Sequence, residues 1–302
     1  MRDAIEGVRF LDARRGAIGH GGVREARHLK DSEKPKLDRG PRMPEENLSV
    51  DVPPAALITG GAQRIGRAIT RVLARNGHAV AVHARSSRQQ AEDLCAEIVG
   101  SGGRAVPVYG DLADLDDVRR IVPAAIAAVG SLTLLVNNAG EFEPDEISDL
   151  DAARFDRHFA VNLRAPLFLA QAFAAQLPSG AMAAIVNLSD QRVFKLTPKF
   201  FSYTLTKSAL TTATVTLAQA LAPRVRVNAV APGPTLASAR QDPAAFARQA
   251  GTLPLNRGPS PEDIAQAVLY LARASSVTGQ TIAVDGGQHL AWRTADAADV
   301  EE

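Results

Sequence analysis

A single cysteine in 302 residues excludes an internal disulfide framework and fits a reducing compartment. That residue, Cys95, lies among Ala91, Leu94, Ile98 and Val99 at helical spacing, the pattern of a buried, inert thiol. Neither sign of charge is in excess. The net charge is +1, so bulk electrostatics point to neither nucleic acid nor a membrane surface as a partner. No apolar run approaches the roughly 18 residues that a membrane span needs, and the N-terminus carries no hydrophobic segment of signal-peptide type. The six histidines show no paired spacing with cysteine or acids, so no catalytic metal is expected. These absences suggest a soluble, cytoplasmic protein that handles a small molecule.

What is present divides the chain unevenly. Residues 1–52 are dense in both charges, dotted with glycine and proline, and poor in apolar periodicity. Such a segment buries too little apolar surface to offset its ordering entropy, so it reads as a disordered N-terminal extension. Interleaved acids argue against a basic arm or a transit peptide. After Pro53 the pattern changes. Short apolar runs at 55–59, 79–83, 105–109 and 132–136 alternate with helical segments, the second of which closes at Gly100. The series continues with a long helix over about 151–177 and the strand AIVNLS. A helix around Tyr203, the strand VRVNAVA and a last strand TIAVDG follow. Continuously apolar strands alternating with helices predict an α/β fold: a doubly wound, seven-stranded parallel sheet flanked by helices, in one domain over 53–292. Residues 293–302 read as a flexible acidic tail.

The first strand runs directly into TGGAQRIG (59–66) and then a helix. A glycine-rich turn in that place lays a pyrophosphate on the helix N-terminus, where free N–H groups and the dipole favour anions. Gly60 and Gly66 supply the turn and the close approach, and Arg64 stands where a middle glycine is usual. A guanidinium there can reach the phosphates or an anionic edge of the substrate. After the second strand comes HARSSR, with Arg85, Ser86, Ser87 and Arg88 and no acid before Glu92. An NAD site places an acid there for the ribose 2′-hydroxyl, whereas this stretch matches a 2′-phosphate. NADP(H) is therefore the expected cofactor.

Further along, Tyr203 and Lys207 sit four apart on one predicted helix, so phenol and ammonium share a face. A cation beside a phenol favours the phenolate and lowers its pKa, making Tyr203 a competent proton donor.

In order and spacing, TGGAQRIG, Asp111 in GDLAD, NNAG (137–140), Asn162, Tyr203-x-x-x-Lys207 and Pro232-Gly233 resemble the short-chain dehydrogenase/reductases. The resemblance covers about residues 54–292 and implies a Rossmann-type fold with nicotinamide-dependent redox chemistry. It implies that Tyr203 is the proton donor, Lys207 its pKa-lowering partner and ribose ligand, and Asn162 the holder of a proton-relay water. Asp111 resembles the acid that caps the adenine, and Asn138 and Gly140 lie near the middle of the cofactor. Ile65, Leu112, Ala139, Pro232 and Gly233 complete the implied cofactor contacts. Members commonly form dimers or tetramers, so a homo-oligomer, a homotetramer first, is expected.

One departure has chemical direction. The usual serine lies thirteen positions before the tyrosine, and here that position is Asp190. Ser189, one residue earlier on the strand, should face the other way. A carboxylate repels a developing alkoxide and suits instead a ring nitrogen or an N–H-rich heterocycle. The pteridine reductase branch, with its dihydromonapterin and dihydrofolate reductases, is similar in three places: Asp190, Arg64 and Phe142. There Phe142 would stack on the pterin, with Phe194 as a second stacking candidate. Gly140 differs, since that branch commonly has serine. The expectation is an NADPH-dependent reductase of a pteridine or folate-like substrate bound by Arg64, Phe142, Asp190, Phe194 and Tyr203. Competing readings are a ketone or 3-oxoacyl-thioester reductase, and a non-catalytic NADP-binding regulator whose Asp190 faces away from the cofactor.

Overall fold

Seven apolar runs form seven parallel strands, in the order β3-β2-β1-β4-β5-β6-β7. The computed structural model describes residues 54–238 and 240–292. The expected N-terminal extension and acidic tail lie outside the described residues. The strands are β1 (Ala55–Ile58), β2 (Ala79–Ala84), β3 (Ala105–Tyr109), β4 (Leu132–Asn137), β5 (Ala183–Leu188), β6 (Val225–Pro232) and β7 (Thr281–Val284). Between them run α1 (Arg64–Arg75), α2 (Arg88–Gly100), α3 (Leu115–Val129), α4 (Ala152–Phe159), α5 (Ala165–Ala175), α6 (Phe201–Leu221), α7 (Pro243–Gly251) and α8 (Pro261–Arg273).

Both faces of the sheet are covered, which is why the strands are apolar throughout rather than alternating. Ala56, Ile58, Val80 and Val82 face a core closed by Ile69 and Leu73 of α1, Leu94 of α2 and Val268 of α8. Ala55, Leu57, Leu132 and Leu135 face the other, closed by Ile121 of α3 and Leu169 and Phe173 of α5. Cys95 is buried in the first core, and burial pushes its thiol up to about 11, well away from reactivity.

Strand β1 pairs with β2 on one side and β4 on the other, with Ile58 opposite both Val82 and Val136. The direction of winding reverses at this point, so the β1 and β4 carboxyl ends open a crevice between diverging loops.

The helix expected as one unit over 151–177 is interrupted. A five-residue π-helical turn, Ala160–Arg164, separates α4 from α5. Pro166 explains the break: it has no N–H to offer the carbonyl four residues back, at Asn162, and its ring crowds that carbonyl. The turn carries the Asn162 side chain into the interior, where it is fully buried.

Candidate active site

The glycine-rich turn is shaped by its neighbours. Gly60 adopts φ +60°, a left-handed conformation that costs glycine nothing. A side chain at Gly66 would collide with the Gly60 carbonyl oxygen, so only glycine allows helix and turn to approach. His83, at the end of β2, braces the same turn. Its Nδ1 accepts from Gly60 N at 3.2 Å and its Nε2 donates to the Gly110 carbonyl at 3.1 Å. From β4, the Asn138 amide donates to the Thr59 and Gly60 carbonyls, and the Thr59 hydroxyl accepts from Asn138 N and Ala139 N.

A cavity of about 350 Å³ lies over this turn. Gly60, Arg64, Ile65 and Gly66 line its floor, Arg85, Ser86 and Ser87 one end, and Asp111, Leu112, Asn138, Ala139 and Gly140 the far wall. The cradle at the N-terminus of α1, closed to any larger residue at Gly66, fits an extended dinucleotide. Arg85 would meet an anion at its end, and Asp111 holds the β3 loop by accepting from Ala113 N.

A second cavity, about 890 Å³, continues from the first toward β5 and β6. Arg64 and Gly140 line both. Tyr203, Lys207, Asp190, Phe142, Pro232 and Gly233 converge on the second. Its chemistry centres on one contact: the Tyr203 hydroxyl donates to Asp190 Oδ2 at 2.9 Å. Asp190 also accepts from Arg192 N at 2.8 Å and pairs with the Arg192 guanidinium at 3.3 Å. The Ser189 hydroxyl turns to α6, 2.7 Å from the Thr211 hydroxyl.

The expected effect of Lys207 on Tyr203 is corrected here. The Tyr203 pKa stands well above its ordinary value, because burial disfavours the phenolate and Asp190 adds both negative charge and an acceptor. Lys207 Nζ donates to the Leu188 carbonyl at 2.6 Å and lies 5.7 Å from the Tyr203 ring centre. Burial pulls its pKa down to about 8, with Asp190 opposing. Tyr203 is therefore held as a phenol, with its proton directed at a carboxylate.

The Asn162 side chain is anchored on protein. Its Oδ1 accepts from Glu141 N at 2.8 Å, and its Nδ2 donates to the Glu141 carbonyl and the Thr206 hydroxyl. The amide clamps the loop after β4, which carries Phe142. Arg64, at φ +50°, donates to the carbonyls of Leu236 and Ala237, so the loop after β6 is tied to the glycine-rich turn.

Phe194 does not reach the cavity. The short 3₁₀ turn Gln191–Val193 carries it outward, where it is 47% exposed and 5.6 Å from the His289 ring. Phe200 takes that place instead. It stacks on Phe142 at 4.3 Å and 3°, while Phe142 meets the Tyr203 ring edge-on at 4.7 Å. Sequence reasoning also missed Glu141, whose carboxylate binds Arg85 at 2.8 Å and Arg157 at 2.7 Å. Arg240, which donates to Glu143 and the Phe142 carbonyl across the cavity mouth, was missed too. Only the acid-rich EFE run after Gly140 hinted at either. Among the described residues, no group of three or more His, Cys, Asp or Glu is arranged to hold a metal ion. No helix there is long and apolar enough to cross a membrane.

The sequence and the fold have close counterparts. A family model described as enoyl-(acyl carrier protein) reductase matches residues 60–289. The solved structure of FolM alternative dihydrofolate reductase 1 from Brucella canis, complexed with NADP, is 51% identical with a TM-score of 0.79. That likeness covers 82% of this chain and 98% of that one. The 3-oxoacyl-[acyl-carrier-protein] reductase FabG of Staphylococcus aureus is 33% identical over 243 residues, 78% of this chain and 98% of that protein. An uncharacterized oxidoreductase of Methylorubrum extorquens is 36% identical over 240 residues, covering 77% and 96%. Matches of this length, at these identities and with the same sheet, establish that the chain belongs to the short-chain dehydrogenase/reductase family of oxidoreductases.

Proposed function

We propose that this protein is an NADPH-dependent reductase of a pteridine or folate-like heterocycle, acting at a ring C=N bond. The observation that carries the reading is the 2.9 Å contact between Asp190 and the Tyr203 hydroxyl, with the Phe142 ring against that of Tyr203. A carboxylate so close to the proton donor would repel an alkoxide forming from a ketone, and it suits a ring nitrogen that must be protonated. Likeness to FolM, solved with NADP, supports both the cofactor and the substrate class.

When bound in the cradle, the dinucleotide supplies the hydride. The chain's own residues handle orientation and the proton. Gly60, Gly66, Asn138 and Ala139 would hold the diphosphate and the central region, and Arg85 with Ser86 would meet the 2′-phosphate. The Tyr203 O–H bond would break as its proton passes to the substrate nitrogen. Lys207, with its Nζ on the Leu188 carbonyl, would serve the cofactor ribose rather than the phenol. Phe142 and Phe200 would offer a flat apolar surface to a planar ring.

The 3-oxoacyl-thioester alternative draws support from the FabG likeness, but Asp190 in place of a hydroxyl stands against it. A regulator without catalysis would have Asp190 facing away from the cofactor, whereas Asp190 lines the cavity that shares Arg64 and Gly140 with the cofactor cradle. The test compares NADPH oxidation with dihydrobiopterin or dihydrofolate against acetoacetyl thioester, in wild type and Asp190→Ser. Turnover of the pterin, depressed by Asp190→Ser while carbonyl activity holds or rises, is the expected result. Pterin turnover unchanged by that substitution would reduce Asp190 to a structural loop acid.

A further inference from the structure

Arg192 lies two residues beyond Asp190, and its side chain returns to the same cavity wall. Its backbone N–H and its guanidinium both address Asp190, the latter at 3.3 Å from each carboxylate oxygen. The guanidinium carbon also sits 4.9 Å from the ring centre of Phe200 and 5.4 Å from that of Phe142. One side chain thus touches the acid and the aromatic pair together. Its Nε, in addition, is buried with no partner. A buried N–H left unpaired is costly unless a ligand or water supplies an acceptor. In this case the stranded donor belongs to a residue that lines the 890 Å³ cavity.

We infer that Arg192 is a positioning and specificity residue of this site: it holds Asp190 against Tyr203, braces the side of the Phe142–Phe200 stack, and keeps its Nε–H for an acceptor atom on the edge of a planar heterocyclic substrate. The inference rests on the reductase reading of Tyr203 and adds to it a residue that the family resemblance does not mark. Charge and shape do separate work here. The positive charge opposes the Asp190 carboxylate, so it acts on the proton step. The planar face and the Nε–H act on ring binding, through cation–π attraction and one directed hydrogen bond.

Lysine and methionine separate these parts. Arg192→Lys keeps a cation near Asp190 and loses both the planar face and the Nε–H. Its kcat should stay near wild type while KM for dihydrobiopterin rises about tenfold, as does the Kd of fluorescent biopterin measured without turnover. Arg192→Met loses the charge as well, and should lower kcat by about tenfold in addition. NADPH affinity, followed by fluorescence, should be unchanged in both, which reports on folding. Arg192→Gln replaces Arg192→Met should the latter fail to fold. Equal kcat in the Lys and Met variants, or biopterin binding unmoved in both, would overturn the inference. The wild type is assayed with acetoacetyl thioester in parallel. If it turns over only the thioester, the pteridine reading fails, and the kcat comparison between Lys and Met on that substrate still decides the role toward Asp190.

Discussion

At the scale of single residues, the site turns on which charge Tyr203 feels. Helical spacing puts Lys207 on its face, and that spacing is correct, yet Asp190 is the group within hydrogen-bond reach. Burial and Asp190 together keep the phenol protonated, which suits a donor that must not lose its proton to solvent. Tyr203→Phe should therefore cut kcat by about 10²- to 10⁴-fold, the usual worth of a general acid. NADPH affinity should barely change, because the hydroxyl is spent on the chemical step. Steady-state kinetics with a fluorescence titration of NADPH checks both halves. Comparable losses in kcat and in cofactor affinity would mean that the hydroxyl binds rather than reacts.

At the scale of elements, the glycine-rich turn is held from beneath by the second strand. His83 bridges Gly60 N and the Gly110 carbonyl, so β2 sets the position of two loops of the cofactor cradle. Burial lowers the His83 pKa from 6.5 to about 4, with the Gly110 bond and nearby acids opposing. Between those values the unfolded chain takes up a proton that the folded one refuses, so stability falls as pH drops from about 6.5 to about 4. At about 1.4 kcal/mol per pH unit this amounts to about 3 kcal/mol. His83→Gln, which does not titrate, should show a correspondingly smaller acid loss in urea-unfolding curves recorded across that range. An unchanged pH dependence would place the acid sensitivity elsewhere, with His78 and His158 as the other lowered histidines.

The break between α4 and α5 belongs to the same scale. Apolar periodicity continues through 151–177, so periodicity alone reads one helix. Pro166 was visible in the sequence and is the physical cause of the break. The bond from Asn162 to Glu141, twenty-one residues away, gave no local signal.

At the scale of the whole molecule, the reversal of winding between β1 and β4 gathers every candidate group at one end of the sheet. The turn after β1, the basic loop after β2, the β4 loop carrying Phe142 and the acid after β5 meet there. This arrangement predicts that NADPH binds at least about tenfold more tightly than NADH, a difference of about 1.4 kcal/mol. Arg85→Asp should narrow or reverse that preference. Its guanidinium is held by Glu141 at 2.8 Å, ready beside Ser86 at the cavity's end. Fluorescence titrations with both nucleotides provide the measurement, and equal affinities in the wild type would refute the reading.

The fold class, the strand series and the glycine-rich turn were legible in the sequence because they follow from local periodicity. Uninterrupted apolar strands demand helices on both faces, and glycine marks backbone that no side chain can share. The Tyr203–Lys207 spacing and Asp190 thirteen residues earlier were legible for the same reason, being set by one helix and the strand before it. Which groups touch was decided only by tertiary structure. Phe200 replaced Phe194 against Phe142 because the 3₁₀ turn after Asp190 points one outward, while the start of α6 brings the other in. Arg192 and Glu141 have no periodic signature, and their roles arise from partners on other elements. The tyrosine's proton affinity was likewise out of reach of spacing, since burial and a carboxylate after β5 outweigh the Arg192 cation, which lies on another element.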